Sequence, residues 1–163
     1  MKTVKIVDFK AFYSHAIAYL NSFPNERSVL TYALQKLTSK YKKQALKLDE
    51  ETTSKISDTD AKYCLKDKET GAFLEREYEI GGQLVYKKQF DQVGESAKKK
   101  DIDDFIKAQN EREIEFEPHF VQIPSNIDIS WVRPFTDFVF EPMSEEQEQE
   151  WYLSQYKKSE KKE

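Results

Sequence analysis

Apolar residues recur at Leu30, Leu34, Leu37, Tyr41, Ala45, Leu48, Ile56 and Tyr63, in a stretch that runs from Asn25 to about Leu65. The steps are of four and three residues, and Leu30, Tyr41 and Tyr63 fall on an eleven-residue ladder. That spacing predicts a long, nearly straight helix with one buried seam. Lys36, Lys40, Lys43 and Lys47 form its outer face. A helix of this kind is not stable alone, so other elements must cover the seam. If unbroken it would span roughly 60 Å at 1.5 Å per residue. Thr52 and Thr53 interrupt the stripe and mark a candidate break.

The rest of the chain is read around that helix. Val4 and Ile6 alternate with Thr3 and Lys5 as a short strand, and Asp8 is an N-cap for a first helix with Phe9, Phe12, Tyr13, Ala16, Ile17 and Leu20 on one face. Asn21 to Pro24 ends that helix, and the short turn makes it an antiparallel neighbour of the long one. After Gly71 the period changes to two. Gly81-Gly82 between Phe73–Ile80 and Gln83–Phe90 predicts a hairpin in which Tyr78 faces Val85, Phe73 faces Phe90 and Glu75 faces Lys88. Glu75, Glu77 and Glu79 line its solvent side.

Residues 91–100 carry a glycine and three consecutive lysines and read as a loop or a weak helix start, with Asp101 as the better N-cap of a helix buried along Ile102, Phe105, Ile106 and Gln109. From Glu113 the period is two again, giving an edge strand with Ile114, Phe116, Pro118 and Phe120 on one side. Ile127 to Phe140 reads as a short helix capped by Asp128 or Ser130. The spacing of Ser144 to Gln147 is a capping box. It opens a last helix with Glu145, Glu146, Glu148 and Glu150 at its start and Lys157, Lys158, Lys161 and Lys162 at its end. The fold class expected is α+β and mostly helical: a long helix packed with shorter ones, one β-hairpin, short edge strands and a C-terminal helical tail. The expected division is a single α+β domain over 1–142 and a charged tail over 143–163, since 163 residues hold one modest core.

Eleven Phe, nine Tyr and two Trp make that core aromatic in a chain whose net charge is only −4. The charge is uneven, basic over the first fifty residues and acidic from Asp101 onward. With one cysteine, Cys64, no intramolecular disulfide forms, and no N-terminal apolar run resembles a signal peptide, so the expected compartment is the cytoplasm. No segment approaches the ~20 apolar residues of a membrane helix, and no membrane partner is expected.

Met1-Lys2-Thr3-Val4-Lys5-Ile6-Val7 at the start, and Asp103-Asp104-Phe105 through Glu113-Ile114-Glu115-Phe116 later, carry a resemblance over residues 1 to 140. The chain resembles a family of short, uncharacterised proteins encoded by phages and prophages of low-GC bacteria. The resemblance implies a viral setting, in the host cytoplasm, and a small α+β fold; it brings no catalytic residues.

Candidate chemistry is sparse. Glu115, Glu117 and His119 alternate on one strand face and could together ligate a divalent ion, but a solvent-facing edge strand uses the same residues to stay soluble. Asp101, Asp103 and Asp104 suit a helix start better than a Mg²⁺ site. Glu77 and Glu79 with Lys87 and Lys88 do not converge as a nuclease site in the hairpin register. We therefore expect no catalytic residue, no metal and no cofactor. The sharper feature is aromatic: Trp151, Tyr152 and Tyr156 in the last helix are residue types that anchor partner grooves, and docking of the helix back onto its own domain would use them equally well. The expected function is binding of another protein, host or phage, as a host-factor inhibitor or in virion assembly, with self-association through the long helix as a further expectation. The alternative is a nucleic-acid accessory role for the face of Lys36, Lys40, Lys43 and Lys47.

Overall fold

A computed structural model describes residues 1–160, with side chains as far as Lys157. Its elements are β1 (Lys2–Lys5), α1 (Ile6–Ser22), α2 (Val29–Tyr63), β2 (Glu75–Ile80), β3 (Gln83–Lys88), α3 (Gln92–Glu111), β4 (Glu113–Phe116), α4 (Ile129–Phe135) and α5 (Glu145–Glu160). β1 pairs with β4, and β2 with β3, in two sheets of two strands. The fold is α+β and mostly helical, as expected.

The long helix is real and unbroken. α2 runs for 35 residues, about 50 Å, and Thr52 does not interrupt it. Thr52 instead returns its hydroxyl to the Leu48 carbonyl at 3.1 Å, as Thr59 does to Lys55 at 2.6 Å. A threonine that satisfies itself in this way can sit in a seam. Thr59 is buried and Thr52 half-buried, whereas Ile56, which the apolar pattern put in the seam, is exposed. Thr52 thus fills the vacant rung of the eleven-residue ladder. The helix opens later than the Pro24-Asn25 reading: Thr31 donates its backbone N–H to Ser28 Oγ at 3.2 Å, and Ser28 N–H bonds to Thr31 Oγ1 at 2.9 Å.

Two compact units divide the chain. The first comprises Met1–Thr3, Phe9–Lys40 and the chain from Glu115 on. Its α1 and α2 portions meet through Tyr13 Oη donating to the Thr38 carbonyl at 3.4 Å and, nearer the turn, Tyr19 Oη donating to Glu26 at 2.9 Å. The core is a ring cluster. Phe12 stacks on Phe138 with centroids 4.5 Å apart and meets Phe116 and Phe135 edge-on at 5.7 and 6.2 Å. Phe116 supplies the buried side of the predicted edge strand; Phe120, expected on the same side, is exposed. α4 is capped by Asp128, whose carboxylate accepts from Ser130 N–H at 2.8 Å. Pro134 lies in its last turn, not its first, and the helix ends one residue later.

The second unit comprises Val4–Asp8 and Tyr41–Ile114. Here α3 begins ten residues earlier than expected: Asp91, not Asp101, is the N-cap and accepts from Gly94 N–H at 2.6 Å. The lysine run and Gly94, read as a loop or a weak helix start, are helical, since the cap and the contacts of the first turns outweigh weak local propensity. Asp101 is therefore not a cap. It lies within α3 and accepts a 2.7 Å hydrogen bond from Tyr63 Oη, with Lys62 Nζ 3.6 Å away. The stripe of Ile102, Phe105, Ile106 and Gln109 is the inward face of α3, with Gln109 fully buried. Gln109 Nε2 donates to the Leu48 carbonyl at 3.3 Å and to Glu51 at 3.1 Å, and Arg112 joins Glu51 at 2.8 Å. Further along, Lys98 Nζ sits 2.6 Å from Asp60 and 4.3 Å from the centroid of the Phe90 ring.

The hairpin register is the expected one, from Glu75 opposite Lys88 to Ile80 opposite Gln83, with both glycines of the turn at positive φ. It ends sooner. Phe73 bridges Lys66 instead of facing Phe90, because Leu65 enters beside the strand ends: its N–H donates to the Gln89 carbonyl and its carbonyl accepts from Leu74 N–H, at 2.9 and 2.8 Å.

Candidate functional site

The last helix is built by its cap. Ser144 N–H donates to Gln147 Oε1 at 3.0 Å and Gln147 N–H donates to Ser144 Oγ at 3.2 Å, the reciprocal pair that the sequence spacing predicts. Glu145, Glu146 and Glu148 occupy the first turn, where the helix dipole favours negative charge. Lys161 and Lys162, and the side chain of Lys158, lie outside what the structure describes.

Trp151 and Tyr152 meet edge-on with ring centroids 5.9 Å apart, but the three aromatic residues of α5 differ in exposure. Trp151 is half-buried and lines an open cleft of about 750 Å³ with Phe120, Ile123, Pro142 and Met143. Gln155 Nε2 adds a hydrogen bond to the Ser125 carbonyl at 3.3 Å. Tyr152 and Tyr156, one turn apart, present 44% and 72% of their surface to solvent, and Leu153 beside them 62%. Trp151 is thus partly covered, while Tyr152, Leu153 and Tyr156 form an outward apolar patch. Leu153 was missing from the sequence reading; its place between two tyrosines at helical spacing was the available signal.

The lysine face is divided in use. Lys40 forms an ion pair with Glu117, and Lys36 Nζ lies 3.3 Å from His119 Nδ1. Tyr32 meets the His119 ring edge-on at 6.1 Å. The Glu117 carboxyl is held below the usual carboxylate range, chiefly by the Lys40 hydrogen bond and then by its charge. Glu117 and His119, considered above as metal ligands with Glu115, are thus lysine partners on this unit. Lys43 and Lys47 are exposed. Among the described residues, no three His, Cys, Asp or Glu side chains are grouped so as to hold a metal ion. In the hairpin Glu77 faces Tyr86 and Glu79 faces Leu84, so neither has a lysine directly opposite. Cys64 is buried at the end of α2 against the Leu65 and Leu74 carbonyls. No helix among the described residues is long and apolar enough to cross a membrane.

No protein-family model matches this chain, and neither a curated protein nor a solved structure is significantly similar to it.

Proposed function

We propose that the chain works by binding another protein through the outward face of α5, without chemistry of its own. The observation that carries this reading is the exposure of Tyr152, Leu153 and Tyr156 on a helix whose Trp151 is half-buried and whose Gln155 bonds to the Ser125 carbonyl. A helix held on one side and apolar on the other is a rigid anchor. Its aromatic side chains lose little entropy on docking and desolvate large areas. The resemblance to phage and prophage proteins is the support for a partner in a host cell, a host factor or a virion component. The compartment proposed is accordingly the host cytoplasm.

The lysine-face reading is the weaker of the two, because Lys36 and Lys40 already serve His119 and Glu117. A polyanion would have to compete for them. The two readings part in an affinity capture from nuclease-treated host lysate. The full chain and a version ending at Pro142 are compared by mass spectrometry. Retention of a single protein by the full chain alone supports the α5 surface. Equal recovery by both overturns it.

A further inference from the structure

The β2–β3 hairpin has two outer strand edges. In an antiparallel pair joined by a two-residue loop, the closing residues exchange hydrogen bonds and the bonded pairs then alternate. Ile80 and Gln83 close this turn, and the 2.9 Å hydrogen bond from Gln89 N–H to the Leu74 carbonyl falls on the same alternation. The backbone groups of Gln83, Val85 and Lys87 therefore serve the ladder with β2. Those of Leu84, Tyr86 and Lys88 point outward from β3, and those of Glu75, Glu77 and Glu79 outward from β2.

The two edges differ in chemistry. The β2 edge is fenced by three glutamates, so two copies of it repel one another. The β3 edge is neutral from Gln83 to Tyr86 and carries lysines only at its far end. Leu84 is 64% exposed and Tyr86 63%, and neither face of the hairpin is buried. This is an apolar strand edge left exposed among the described residues.

We infer that the outer edge of β3 pairs antiparallel with β3 of a second copy, to give a four-stranded sheet in the order β2-β3-β3-β2. The strand is complementary to itself about Val85. With Val85 on the two-fold axis, Leu84 of each copy falls opposite Tyr86 of the other as a hydrogen-bonded pair, on one face of the sheet. Lys87 falls opposite Gln83, so no like charges meet across the new seam. The arrangement is isologous and closes on itself, and the Glu75, Glu77 and Glu79 edges are left outermost, where they stop further strand addition. The seam of α2 is not the interface, since Leu30, Leu34, Leu37 and Leu48 are already buried within the chain.

The test uses the full chain. Val85 sits at a non-hydrogen-bonded position, where opposed Cα atoms lie about 4.5 Å apart, within disulfide reach. Val85→Cys should oxidise to a covalent dimer under mild conditions, while Glu77→Cys on β2 and the wild-type chain, with Cys64 buried, should not. Sedimentation should show a wild-type dimer, and Leu84→Glu, on an exposed site that leaves the circular dichroism unchanged, should weaken it at least about tenfold. A wild-type chain that remains monomeric at about 100 µM overturns the inference, whatever foreign strand it binds. So does a dimer that Leu84→Glu leaves intact, or equal cross-linking through Val85→Cys and Glu77→Cys.

Discussion

Tyr63 Oη donates a 2.7 Å hydrogen bond to Asp101 Oδ2, which joins the last turn of α2 to the middle of α3. The bond has a consequence for pH. It holds the Asp101 carboxyl below the usual carboxylate range, with the Lys62 charge adding to it. Glu51 is lowered likewise, by Arg112 first and Gln109 second. A carboxyl whose folded pKa is depressed contributes stability that is present above its unfolded pKa and lost as pH falls through the folded one. Melting temperature should therefore fall steadily as pH is taken below about 4. In Tyr63→Phe the acid-side loss should be shallower, and in Arg112→Met shallower again.

Asp91 caps α3, a role that sequence reading gave to Asp101. Asp91→Ala should cost about 1 kcal/mol in chemical denaturation and raise amide exchange in the first turn of α3, while Asp101→Ala should leave that turn protected. Gly94 bears on the same turn. A Cβ there would lie 3.0 Å from Asp91 Oδ1 and 3.1 Å from the Tyr63 carbonyl, so Gly94→Ala should fail to deliver the ~1 kcal/mol that helix propensity alone promises.

Phe12 lies at the centre of the aromatic cluster, in contact with Phe116, Phe135 and Phe138. Phe12→Ala should destabilise by about 3–5 kcal/mol in urea unfolding, with Phe12→Leu well below that.

Asp137 holds a left-handed backbone at φ 74° in the tight turn between Phe135 and Phe140, with Lys2 Nζ 3.1 Å from its carboxylate. Asp137→Gly and Asp137→Asn should be tolerated, because both residues accept that conformation. Asp137→Val should lose about 1–2 kcal/mol from the backbone alone, whereas Lys2→Met, which removes only an exposed ion pair, should change little.

Periodicity made the long helix, the hairpin register and the Ser144 capping box legible, since each is set by residues near one another in sequence. Partner choice was not. Nothing local says that the far half of α2 is sealed by α3 through Gln109 and Leu48, or that Thr52 and Thr59 fit that seam by bonding their own helix. A pattern built on apolarity passes over threonine and chose Ile56, which is exposed. The candidate sites meet the same limit: no local pattern sets Lys40 beside Glu117 or Lys36 beside His119, and none says that Trp151 is half-buried while Tyr152 and Tyr156 are exposed.

The most direct test of the protein-binding reading is a capture from nuclease-treated host lysate with two full-length variants beside the wild type. One is Tyr152→Ala with Leu153→Ala and Tyr156→Ala; the other is Lys43→Glu with Lys47→Glu. The partner retained by the wild type is expected to be lost from the first and kept by the second. Retention by the aromatic variant and loss from the charge-reversed one would contradict the account and make α2 the working surface.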